Sequence, residues 1–138
     1  MKKIGILLII LIVILFCLSL CWRNKISKTE GIEINLKGDK FNINDFSNFT
    51  FETIKTNRGD EYSGFSINEI FNFLEIDPKD INEVRFSSKD GAYISFSKEM
   101  FSSLYLTFQE KDKCFRLIIP IDKYGERWLK YITTIEIK

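Results

Sequence analysis

The chain has 138 residues, 45% apolar and 28% charged, with 13 Phe, three Cys and no His, and a formal charge of +1. Without an imidazole, a Ser/His/Asp triad, a Cys/His dyad, a His-ligated zinc or haem and a His proton relay are all excluded, which leaves carboxylate, amine, phenol, hydroxyl or thiol chemistry, or binding alone. From Gly31 onward 15 Lys and Arg stand against 18 Asp and Glu, a net charge of −3, and no basic run or Arg-aromatic stripe marks a nucleic-acid surface.

The N-terminus reads as a membrane segment. Ile4 to Trp22 is a run of 19 residues without a charge, preceded by Lys2 and Lys3. As a helix it spans roughly 28 Å, close to the hydrocarbon thickness of a bilayer. The run is longer than the apolar core of a cleaved signal peptide, and Leu18-Ser19-Leu20-Cys21 offers no A-x-A site. Cys17 follows Phe16 and Cys21 follows Leu20, neither the small residue that a lipidation site wants, so lipidation at either fits poorly and stands as the lesser alternative. This predicts a signal-anchor over residues 1–23, one transmembrane helix with the lipid bilayer as partner through residues 4–22, a linker over 24–30 and a globular domain over 31–138. Lys2 and Lys3 nearly balance Arg23, Lys25 and Lys28, so the short N-terminal tail decides the orientation. The expected location is the cell membrane, single-pass, with the domain extracytoplasmic. Cys114 is the one thiol of the domain and has no internal disulfide partner there.

Within the domain, Ile32, Ile34 and Leu36 alternate with polar residues up to Gly38-Asp39, the pattern of a half-buried strand. Phe41, Ile43 and Phe46 lie in an Asn/Asp-rich stretch that predicts a short helical turn. A second strand follows over Phe49 to Ile54, closed by Asn57-Arg58-Gly59-Asp60. Ser66 with Glu69 makes a capping-box pattern, and Ile67, Ile70, Phe71 and Leu74 form one apolar helix face, with a stop near Ile76 before Asp77-Pro78. Val84-Phe86 and Ala92-Phe96, joined through Asp90-Gly91, predict a hairpin. A short helix over Lys98 to Ser103, a strand over Leu104 to Phe108, a covered strand over Phe115 to Ile119 and a last strand with Ile135 and Ile137 complete the chain. About seven strands and two or three short helices make an α+β domain with a mixed or mostly antiparallel sheet.

Four segments resemble the oxidoreductase molybdopterin-binding domain, the sulfite-oxidase-like family. They are Tyr62-Ser63-Gly64-Phe65-Ser66-Ile67 with its helix, Val84 to Tyr93, Phe115 to Pro120 and Arg127 to Ile137, and the resemblance covers roughly Gly38 to Lys138. It implies a sulfite-oxidase-like fold and, in catalytic members, a Cys thiolate on molybdenum. The stretch matching the Cys-bearing loop, Thr53 to Gly59, holds no Cys. A soft thiolate is the ligand such a metal needs, so the resemblance implies a scaffold without metal chemistry, and no cofactor is expected. Lys2-Lys3 in place of an Arg pair also argues against twin-arginine export of a loaded enzyme.

The resemblance directs attention to Arg127, Tyr124 and Lys130, whose family counterparts can meet a pterin phosphate or ring, and to Ser87 and Ser88 beside a possible groove. The plainer alternative is packing for Trp128 and Tyr131, solvation for Arg127 and Lys130, and turn chemistry for Ser87 to Gly91. No catalytic residue and no metal ligand is singled out. The function expected is a membrane-anchored extracytoplasmic binding or accessory module for a small molecule or membrane protein, without molybdenum catalysis and without nucleic acid. A redox enzyme or redox accessory subunit that keeps a pterin, and a structural envelope protein, are the alternatives. High Ile, Lys, Asn and Phe content suggests an AT-rich bacterial genome.

Overall fold

The computed structural model describes residues 5, 9–17 and 31–138, and the domain opens with strand β1 (Ile32–Leu36). Lys37 and Gly38 take positive φ values of 50° and 99°, and the Asn35 side-chain oxygen accepts the Gly38 N–H at 3.1 Å. Two successive positive φ values suit a two-residue hairpin, so the chain returns as β2 (Asp39–Ile43). This corrects the helical turn expected at Phe41 and Ile43. The Asn and Asp residues lower strand propensity, but Ile43 lands opposite Ile32 and is buried, so pairing overrides local preference.

A second hairpin joins β3 (Glu52–Lys55) to β4 (Glu61–Ser66). The strand β4 escapes the alternation pattern because Gly64 interrupts it. A Cβ at Gly64 would lie 2.4 Å from the Leu106 carbonyl oxygen, so glycine is what lets β4 approach its neighbour. The helix α1 (Ile67–Phe73) follows directly, with the Ser66 hydroxyl accepting the Asn68 N–H at 3.2 Å and Ile67, Ile70 and Phe71 buried. It ends at the Leu74 cap, before the expected Ile76, because Glu75 turns to a φ of 55°. Glu69 does not close the capping box. Its carboxylate accepts the Thr50 N–H at 3.1 Å and ties α1 to the loop before β3.

After a 3-10 turn at Pro78–Asp80, the expected hairpin forms from β5 (Glu83–Ser88) and β6 (Tyr93–Ser97), and Lys98–Ser103 is a 3-10 helix. The strands β7 (Tyr105–Gln109), β8 (Cys114–Ile118) and β9 (Lys130–Ile137) complete one sheet of nine strands. Its path runs β2-β1-β9-β8-β7-β4-β3, with β5 also attached to β9 and β6 attached to β5. Residues 134–137 of β9 pair with β1 in parallel and with β5 antiparallel, whereas Ile132 and Lys130 pair with β8. At the joint, Tyr131 takes a φ of 55° and the register slips between Phe115 and Arg116, so the two halves of the sheet wrap one core. Phe65, Phe71 and Phe86 are fully buried in it, each contributing about 1.5 to 3 kcal/mol by burial. The domain is thus α+β with a mixed, mostly antiparallel sheet and short helices.

The expected membrane span needs correction. Within residues 4–22, the described residues are 5 and 9–17, and they are helical; residues 4, 6–8 and 18–22 and the 24–30 linker lie outside the described residues. Among the described residues, no helix is long and apolar enough to cross a membrane. On this finding the transmembrane helix ahead of the domain, the signal-anchor, the lipid bilayer as partner through residues 4–22, the membrane-anchored function and the single-pass extracytoplasmic location are corrected: the described residues do not support them. What stands is the α+β domain.

Candidate functional site

An open groove of about 670 Å³ lies between the loop after β2 and one face of the β3-β4-β7-β8 half of the sheet. Its apolar walls are Phe46, Phe51, Phe108 and Phe115, and Asn44, Asp45, Ser47, Ser63 and Glu110 supply polar groups. The strand register explains the walls. Phe108 pairs with Phe115 and their rings stand 5.2 Å apart, while Phe46 packs on Phe115 at 4.8 Å and on Phe65 at 5.6 Å. Phe51 leans on Phe65 at 5.5 Å and is 45% exposed. Ser63 shares a face with Phe65, two residues on, and its small side chain leaves the space that a larger apolar residue would fill.

The loop is held in shape. Asp45 accepts the Ser47 N–H at 2.9 Å, Phe49 N–H donates to the Phe46 carbonyl at 3.0 Å, and Glu69 holds Thr50. The Ser47 backbone N–H, and next its hydroxyl, hold the Asp45 carboxyl below the usual carboxylate range. It is therefore charged at neutral pH, at the rim of an aromatic wall.

The residues expected from the sequence lie elsewhere, and local partners engage most of them. Arg127 Nε donates to Asp122 Oδ2 at 3.0 Å and its second nitrogen donates to Asp122 Oδ1; this hydrogen-bonded carboxylate raises the guanidinium pKa. Asp122 is 9% exposed, so Arg127 neutralises a nearly buried charge. Tyr124 is exposed with Lys123 over its ring at 5.1 Å, and Lys130 approaches Asp112 at 4.0 Å. Ser87 sits in register between Tyr93 and Thr134, while the buried Ser88 hydroxyl donates to Asp90 and keeps that carboxyl low. Backbone pairing sets the Ser88 turn against β9, with Lys89 N–H on the Tyr131 carbonyl at 2.9 Å and Ser88 opposite Ile132. Ser87, Ser88 and Lys130 thus lie on or against β9, and Arg127, Lys130 and Ser88 are engaged by acidic neighbours.

The molybdenum centre that the resemblance implies does not fit these residues. Asn57, in the stretch matching the Cys-bearing loop, donates its backbone N–H to Pro120 at 3.1 Å and its side-chain amide to Ile121 at 3.0 Å, next to the Asp122-Arg127 pair. Cys114 is buried opposite Gln109 at the other end of β8, about 20 Å of extended chain from Pro120. Cys114 therefore does not reach the Asn57 corner, and Arg127 is already paired. Among the described residues, no three His, Cys, Asp or Glu side chains converge for a metal ion.

Sequence reasoning did not find the groove. The signal present was Phe spaced by Asn, Asp and Ser over Phe41 to Phe51, with the small polar Ser63 two residues before Phe65. In comparison with known proteins, the chain matches no family model and no curated protein.

Proposed function

We propose that the domain is a binding module that holds a small, largely apolar ligand in the Phe46-Phe51-Phe108-Phe115 groove and does not transform it. The observation that carries this reading is the groove itself: a space of about 670 Å³ with four phenyl walls and a polar rim. That is the size and composition of a small-molecule site. The resemblance of four sequence segments to the molybdopterin-binding domain supports, as a proposal, kinship of the scaffold without its metal centre.

Nile red, a neutral dye that brightens and shifts to the blue in apolar surroundings, tests this. Wild-type protein is expected to bind it saturably with one site. Ser63→Trp, an exposed position whose new side chain fills the groove, abolishes the signal while the far-ultraviolet circular dichroism is retained. Equal binding by the folded Ser63→Trp variant would place the dye elsewhere and contradict the reading.

A further inference from the structure

The groove is sided in charge. Its nine lining residues include two carboxylates, Asp45 and Glu110, and no Lys or Arg. Both acids are exposed, so neither carries the desolvation cost of a buried charge, and Asp45 is fixed in direction by the Ser47 turn. Between them the walls are phenyl rings, whose faces carry the negative side of the aromatic quadrupole. A neutral apolar ligand gains nothing from the carboxylates, and an anion meets them as repulsion. A cation gains from both the carboxylates and the ring faces, which attract ammonium groups within about 6 Å of a ring centroid.

We propose that the ligand is an organic cation, an alkyl- or arylammonium with an apolar body, seated with its nitrogen at the Asp45-Glu110 rim and its body against Phe46, Phe51, Phe108 and Phe115. This rests on the groove being the binding site and names the chemistry of what enters it. Size agrees with the assignment, because the groove takes an amine and an aromatic or branched body together.

The test compares benzyltrimethylammonium with its uncharged isostere neopentylbenzene, titrated by NMR on the full chain and on the double variant Asp45→Asn, Glu110→Gln. Asn keeps the acceptor that Ser47 uses and Gln keeps the shape of Glu, so the fold is retained. The cation is expected to bind the wild type more tightly than the isostere, with about two- to fivefold from each exposed carboxylate, and the double variant to remove that carboxylate share, leaving only what the ring faces supply, while isostere affinity stays unchanged. Added salt weakens the cation alone. Equal affinities in the wild type, unmoved in the double variant, would overturn the cation assignment and leave the groove as a site. Failure of both probes to shift groove resonances would overturn the binding reading together with it.

Discussion

Arg127 is the residue at which family resemblance and local physics diverge. A basic side chain on a loop near the matching segments reads as an anion-binding group, but its partner Asp122 sits five residues earlier in a turn whose closure depends on Asp122 N–H donating to Ile119 at 3.0 Å and Trp128 N–H to Gly125 at 3.1 Å. Trp128 is buried between these contacts, with its indole N–H on the Ile119 carbonyl at 3.0 Å and its ring 5.9 Å from Tyr62. The packing role expected for Trp128 is what the structure shows, whereas Tyr131 is 43% exposed. Arg127→Ala leaves the Asp122 carboxylate nearly buried without its cation. Because Arg127 itself is 43% exposed, the loss is discounted from that of a fully buried pair to about 1 to 2 kcal/mol. Urea unfolding is expected to show a lowered midpoint with Nile red affinity unchanged; a variant of full stability that no longer binds the dye would instead make Arg127 a ligand contact.

At the scale of elements, the legible parts were those set by neighbours in sequence. Asp90-Gly91 between alternating runs gave the β5-β6 hairpin, and Ser66 gave the start of α1. The strands β2 and β4 were not legible, because their pairing with β1, β3 and β7 is decided by residues far along the chain and Gly64 hides the alternation of β4. The same limit hid the groove, since Ser63, Phe108 and Asp45 meet only after the sheet has formed. Glu69 illustrates how an element can serve the site. Ser66→Ala removes the cap and is expected to cost about 1 kcal/mol with dye affinity unchanged. Glu69→Ala should cost a similar amount and also weaken Nile red binding, because the Thr50 N–H that positions Phe51 loses its acceptor. Unchanged affinity in folded Glu69→Ala protein would show that the helix does not hold the groove loop.

The domain over residues 31–138 is a sheet hinged at β9, with an aromatic core on the inside and charged ladders outside. Arg85 reaches Glu83 at 3.7 Å, Glu136 at 3.9 Å and the Tyr93 ring at 4.9 Å, and Lys138 meets Glu83 at 3.3 Å. Asp45, Glu83, Asp90 and Glu99 all have carboxyl pKa values lowered in the folded state, first by hydrogen bonds from Ser47, Lys138, Ser88 and Ser97 respectively. Groups with lowered folded pKa values bind fewer protons in the folded than in the unfolded chain. Their contribution is present above the unfolded carboxylate range and is lost as pH falls through it toward the folded values. The urea midpoint is therefore expected to decline below about pH 4 from these groups. Replacing Asp90 by Asn should flatten part of that decline, and an identical slope in the variant would remove Asp90 from the account.

Backbone amide NMR during titration with indole, a neutral aromatic probe, tests the central claim most directly. The account predicts saturable shifts gathered at residues 44–47, Phe51, Ser63, Phe108 to Glu110 and Phe115. Shifts gathered instead at Thr56 to Gly59 and Asp122 to Lys130 would contradict it and return the binding site to the joint of the sheet.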